Sequence, residues 1–253
     1  MHRNSILIVI SLLVFGFFLG CDKEDSIDTF INVRLVHLDS EFSEPDSSYL
    51  LNFEAFFVDD PLNLELTVGE NEVSNLNLSY DRVFYSNSFN PKTATDFSIS
   101  VEYQGLNNEA QRRLIPLAKK EDLIIETSDD LISFNWRRTD ASDKYILHIY
   151  DPYRSSNSFD SLWILNSPEI SLDKNILPNQ ENNSYFVVAG SASGLNPNSG
   201  SFNIKDEMPS RMIFFSGSNK RIPTLETQMT YQDSLNADSI VKYKLNEMLN
   251  RFD

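Results

Sequence analysis

Apolar and polar residues alternate with a period of two along most of this 253-residue chain. Ile31, Val33 and Leu35 alternate with Asn32 and Arg34, and Leu51, Phe53, Ala55 and Phe57 alternate with Asn52 and Glu54. The pattern returns in Leu62, Leu64, Leu66 and Val68, in Leu76, Leu78 and Tyr80, and in Phe97, Ile99, Val101 and Tyr103 opposite Ser98, Ser100 and Glu102. Successive side chains of a strand point to opposite faces, so this period describes strands with one buried face. Pro45, Asp46, Asp59-Asp60-Pro61, Gly69 and Asn90-Pro91 separate the runs as turn formers. Six or seven strands fit before residue 118.

A second set runs through Leu123 to Thr127, Ile132 to Trp136, Tyr145 to Ile149, Leu162 to Leu165, Ile170 to Leu172, Tyr185 to Ala189 and Met212 to Phe215. The charged stretch Ala118-Lys119-Lys120-Glu121-Asp122 divides the two sets. Each half then has the size of one immunoglobulin-like sandwich, about 100 residues. A chain that is 41% hydrophobic and 12% aromatic can fill such cores. A formal charge of −16 repels polyanions, so no nucleic acid is expected as a partner.

The N-terminus differs in kind. Arg3 precedes an apolar run, Ile6 to Leu19, which is too short for a permanent span and reads as a signal-peptide core. Phe18-Leu19-Gly20-Cys21 follows, holding the single cysteine of the chain. These residues resemble the lipobox of bacterial lipoproteins, although Phe18 replaces the more usual aliphatic residue. The resemblance implies that Cys21 is diacylated, becomes the new N-terminus and tethers the body to a membrane, since two or three acyl chains hold where one is marginal. Asp22-Lys23-Glu24-Asp25 resembles an acidic surface-export signal of some Gram-negative lipoproteins, which implies the outer membrane and its outward face in preference to its periplasmic face.

Trp136, Tyr145, Leu177-Pro178 and Tyr185-Phe186-Val187-Val188-Ala189 resemble a fibronectin type III domain across residues 119–217. The resemblance implies a Trp filling the space between two sheets and a Tyr opening the sixth strand after the Leu-Pro step. The stretch from Ser191 to Pro209 is longer than the pattern, with room for an extra short strand at Ser201 to Ile204. The tail carries Val241, Leu245, Met248, Leu249 and Phe252 on one helical face, with Asn236 or Ser234 as the expected cap. The expected fold is therefore all-β: two tandem immunoglobulin-like and fibronectin type III-like β-sandwiches with a C-terminal amphipathic helix. The expected division is 1–20 signal peptide, 21–27 acidic tether, 28–118 first sandwich, 119–217 second sandwich and 218–253 tail.

No constellation for chemistry stands out. Beyond the leader only His37 and His148 remain, both within strands, where they read as structural. Asp39, Glu41, Glu44 and Asp46, or Asp140 with Asp143, lack the spacing of a calcium loop, and no phosphate-cradling glycine pattern is present. The expectation is a protein that is not an enzyme, with no cofactor and no metal, whose partner beyond the membrane is a protein or a glycan. The aromatic and arginine residues after the third strand of the second half, Tyr150, Tyr153, Arg154, Phe159 and Trp163, form the candidate contact surface. Tyr150 and Trp163 have an alternative reading, as strand residues covered by a neighbouring element.

Overall fold

The structure is a computed structural model that describes residues 29–44, 47–80, 82–91, 95–152, 159–178, 184–195, 210–222 and 231–251. The leader, Cys21, the acidic tether and Ser201 to Ile204 lie outside the described residues.

In the first half the strands are β1 (Phe30–Ser40), β2 (Tyr49–Phe56), β3 (Leu64–Val68), β4 (Asn71–Glu72), β5 (Asn77–Ser79), β6 (Arg82–Phe89), β7 (Asp96–Tyr103) and β8 (Leu106–Arg113). The second half contributes β9 (Ile124–Thr127), β10 (Leu131–Asn135), β11 (Lys144–Tyr150), β12 (Asp160–Leu165), β13 (Glu169–Asp173), β14 (Phe186–Ser193) and β15 (Ser210–Arg221). One α-helix among the described residues, α1 (Tyr231–Asn250), follows. The chain is thus all-β with a C-terminal helix. That helix begins five residues before Asn236, so Ser234 and Asn236 lie inside it and neither is its cap. The polar run before Ala237 gave no apolar periodicity from which to place the true start.

The alternating runs close into an eight-stranded sheet of order β12-β11-β14-β15-β1-β2-β6-β5, a four-stranded sheet β4-β3-β7-β8 and a three-stranded sheet β13-β10-β9. The large sheet crosses from one half of the chain to the other because β15 lies parallel to β1, in register from Ile31 opposite Ser210 to Ser40 opposite Asn219. β15 pairs on its other side with β14, from Ser193 opposite Phe214 to Phe186 opposite Arg221.

Alternation along β15 decides where each core sits. Met212 and Phe214 join Val33, Leu35, Phe53, Phe97 and Val101 in the core beneath the four-stranded sheet. Further along the same face, Leu147, Val187 and Ala189 pack with Ile132, Phe134 and Trp136 beneath the three-stranded sheet. Ile213 and Phe215 point the other way and meet Val241, Leu245, Met248 and Leu249 of α1. The helix is therefore docked on its own chain, burying the apolar face read from the sequence; Phe252 lies outside the described residues.

The resemblance-bearing residues occupy structural places. Trp136, 6% exposed, follows the last residue of β10, and its indole Nε1 donates to the Gly190 carbonyl at 3.2 Å. Tyr185, immediately before β14, donates its hydroxyl to the Pro178 carbonyl. Gly190 and Gly217 face each other across β14 and β15, and a Cβ on either would lie within 2.7 Å of the Phe215 ring. The missing side chains leave room for that ring.

The segment joining the halves runs along the seam on the polar ends of β1 and β15. Ser216 Oγ donates to the Pro116 carbonyl and accepts from the Ala118 amide, and Ser218 Oγ donates to the Lys119 carbonyl. The Lys120 amide donates to Asp39 Oδ2 at 2.7 Å. Asp39 is thereby bound into the seam.

Candidate functional site

The two histidines are built into the scaffold. His37, 2% exposed, spans two backbone carbonyls, with Nδ1 2.9 Å from Ser48 O and Nε2 2.9 Å from Ala118 O. It fastens β1 to the linker and to the chain entering β2.

His148 is fully buried, and its Nε2 donates to Asp160 Oδ1 at 2.9 Å. The same carboxylate accepts from Lys244 Nζ at 2.6 Å and from Arg251 at 2.8 Å, so three elements of the tail and second sandwich meet on one side chain. Burial lowers the His148 pKa, with the Asp160 hydrogen bond acting the other way. For Asp160 burial pushes the carboxyl up, yet the hydrogen bonds from Lys244, His148 and Arg251 outweigh it and hold the group well below the usual carboxylate range. The arrangement latches α1 to the edge strand β12.

Of the residues expected to form one contact surface, the described ones divide between two cores, Tyr150 with the cluster beneath α1 and Phe159 and Trp163 with that of the second half. Tyr150 is fully buried, packed edge-on to Phe186 at 6.0 Å on the face that α1 covers. Burial pushes its hydroxyl pKa far up. It is a core residue and offers nothing to a partner, in agreement with the alternative reading of a covered strand residue. Phe159 packs edge-on to Tyr185 at 5.9 Å, and Trp163, on β12, lies half-buried against the same second-sandwich core. Tyr153 and Arg154 lie outside the described residues.

A different surface is assembled by strand register. α1 covers one face of the large sheet over its middle strands and leaves the face of β2 and β6 open. On that face Arg211, Asn32, Glu54 and Phe84 stand opposite one another across β15, β1, β2 and β6. The next row holds Arg34, Asn52 and Ser86, with Ser86 Oγ donating to Asn52 Oδ1 at 2.8 Å. Opposite these rows lie Asn246 and Asn250 of α1, and Arg34 donates to Asn250 Oδ1 at 2.8 Å. Between helix and sheet lies a groove of about 570 Å³ lined by Arg34, Asn52, Glu54, Arg82, Phe84 and Ser86 with the two helix asparagines.

Arg34 and Arg82 line this groove together with Glu54, and Arg211 stands at the end of the adjoining row. Arg82 pairs with Glu54 and lies over the Phe56 ring at 4.8 Å. Burial lowers the Arg34 pKa while Glu54 counters it; for Arg211 burial and then the charge of Arg34 act in the same direction. Two guanidinium groups are thus crowded at one end of the rows. Asn32, only 5% exposed, keeps Oδ1 without a hydrogen-bond partner, and Arg82 Nε is likewise unmet. Unmet buried polar atoms cost stability. The sequence reading placed Asn32, Arg34, Asn52 and Glu54 on a solvated face; only the register shows that they converge.

Among the described residues no group of three or more metal-ligating side chains occurs, and no helix is long and apolar enough to cross a membrane. No family model matches the chain, and no curated protein matches it. Among solved structures the chain is similar to chicken CNTN1 FN1-FN3 domains, at 12% identity and a TM-score of 0.27, over 77% of this chain. It spans 64% of the length of that chain.

Proposed function

We propose that this protein is a lipid-anchored protein of the cell envelope, displayed on the outer membrane at the cell surface, that binds or helps assemble a partner and performs no catalysis. The observation that carries a binding role is the open groove beside α1, where guanidinium, amide and aromatic side chains converge on one sheet face. Support for a non-catalytic reading comes from the histidines, since His37 is held between backbone carbonyls and His148 is sealed under the helix. Support for the anchor comes from the sequence, where the lone cysteine stands at the end of the apolar leader. Eight residues separate Cys21 from the first residue of β1. Covalent geometry limits their reach to about 30 Å, so an acylated Cys21 keeps the body close to the bilayer. Asn32 and Arg34 stand near the start of β1, which puts the groove at the tethered end.

The test is Cys21→Ser in the native host with a clickable palmitate probe. The wild type takes up label and sediments with the outer membrane. The variant loses the label and leaves the membrane fraction; continued membrane association of an unlabelled variant would overturn the anchor. A second reading, that the surface role is recognition of carbohydrate, is favoured by the presence of Phe84 among amide side chains in the groove.

A further inference from the structure

We propose that the end of the first sandwich from which the chain leaves toward Cys21 rests on the bilayer, with Phe57, Leu62 and Tyr80 dipping into the boundary between lipid headgroups and acyl chains. This rests on the reading of Cys21 as acylated and deepens it by naming the surface of the body that meets the lipid.

Register gathers the three residues at one end. Phe30 stands opposite Phe56, Phe56 opposite Arg82 and Arg82 opposite Ser79, so this row closes the large sheet, and Phe57 and Tyr80 follow just beyond it. Leu62 lies in the 3-10 turn Pro61–Asn63 that leads into β3. The Asp60 amide donates to the Tyr103 hydroxyl at 3.0 Å, which ties that turn to the end of β7. Thr29, whose hydroxyl donates to the Phe57 carbonyl at 3.1 Å, is the first described residue after the tether. Eight peptide links join Cys21 to Thr29, and they span at most about 30 Å. An acylated thiol therefore holds this end of the body beside the lipid.

The side chains offered there are apolar and exposed. Leu62 is 82% exposed, Tyr80 fully exposed and Phe57 43% exposed. Phe57 and Tyr80 also hold φ of +60° and +49°, left-handed backbone that bulky residues seldom adopt. The three come from separate turns, as tips and not as one flat patch. A fluid surface closes around each tip, whereas a rigid protein partner needs a broad complementary face. Tyrosine suits the boundary because its ring enters the apolar layer while its hydroxyl stays among the headgroups. Asp59 and Asp60, exposed beside these tips, limit the depth. Carboxylates stay in the wet headgroup layer, so the tips reach only about 5 to 10 Å into the boundary. The same acids favour the ammonium groups of a zwitterionic lipid, since a protein of charge −16 is repelled by an anionic surface.

The test places the palmitate-labelled full chain, purified from membranes, in vesicles of phosphatidylethanolamine and phosphatidylcholine. A fraction of the lipid carries bromine on the upper acyl chain as a contact quencher. Leu62→Trp and Tyr80→Trp each add one indole at the proposed contact, and Leu131→Trp adds one at an exposed position on β10 in the second half. Measured as emission gained over wild type, the indoles at 62 and 80 are expected to shift to the blue and to lose about half or more of their intensity to the bromine. The indole at 131 is expected to be unaffected. Unquenched emission at either 62 or 80, or equal quenching at 131, would overturn the proposal. A blue shift without quenching would overturn it as well, by showing burial against a protein or a second copy. Flotation and palmitate labelling are read on the same samples. Labelled chain that floats with the vesicles and shows no quenching rejects the contact and leaves the anchor standing; chain that neither takes label nor floats removes both.

Discussion

Replacing Phe97 with alanine should be felt by tryptophans that lie in the other half of the chain. Phe97 is 1% exposed on β7, edge-on to Phe89 at 5.2 Å and to Phe214 at 5.6 Å. Truncating a ring so enclosed removes its transfer free energy and leaves a cavity, together about 3 to 5 kcal/mol. Phe214 belongs to β15, which pairs with β1 of the first sandwich and β14 of the second. Breaking one half from the other therefore means breaking the middle of the eight-stranded sheet and exposing Ile213 and Phe215 beneath α1. On this structure the body unfolds as one unit. The only tryptophans, Trp136 and Trp163, both report on the second sandwich. In urea, with a slope of about 3 kcal/mol per molar, a loss of about 4 kcal/mol moves the midpoint of tryptophan fluorescence down by roughly 1.3 M. Far-ultraviolet circular dichroism should move with it in a single transition. A fluorescence midpoint within about 0.2 M of wild type, with a second, earlier step in circular dichroism, would refute the reasoning and show two independent sandwiches.

Asp160→Asn should cost about 1.5 to 3 kcal/mol by removing the charged acceptor shared by His148, Lys244 and Arg251, and should raise tail cleavage in limited proteolysis; unchanged cleavage would contradict the latch. Stability should fall on acidification from neutral pH, because a folded His148 with a lowered pKa contributes stability above the unfolded value of about 6.5 and loses it as pH falls toward the folded value. Chemical denaturation of His148→Gln across the same range should give a flatter profile, and a profile identical to wild type would reject the assignment. Gly217→Ala places a Cβ 2.5 Å from Phe215 Cζ and 2.9 Å from the Ala189 carbonyl. Overpacking of that kind costs about 1 to 3 kcal/mol, measurable as a lowered melting temperature, whereas a neutral result would mean that the Phe215 ring can move aside.

The strands of the second half were legible in outline because they carry apolar residues, and Trp136, Leu177-Pro178 and Tyr185 are placed by packing, although β14 and β15 run on beyond the stretches the sequence marks. In the first half β6 and β8 escaped. β6 buries only Val83 fully, since its outer face belongs to the groove, and β8 is an edge strand whose buried positions are Asn108 and Ala110. Neither gives a hydrophobic rhythm. The union of the two halves was hidden for another reason: parallel pairing of β1 with β15 links residues far apart in the chain, and no local pattern encodes register. A trace was present in Met212-Ile213-Phe214-Phe215 and Phe186-Val187-Val188-Ala189, unbroken apolar runs of the kind that strands buried on both faces show. The same consideration explains Tyr150, whose alternation placed it opposite the sandwich core without revealing that α1 roofs that face. The groove was legible only as polar positions of separate strands.

Intact mass of the protein extracted from native membranes bears most directly on the central claim, that this sheet-built body is fastened to a bilayer through one thiol. The account predicts a chain that starts at Cys21, has lost residues 1–20 and carries the added mass of its acyl groups. A mass equal to the unprocessed sequence, or a processed chain with a free thiol, would contradict it.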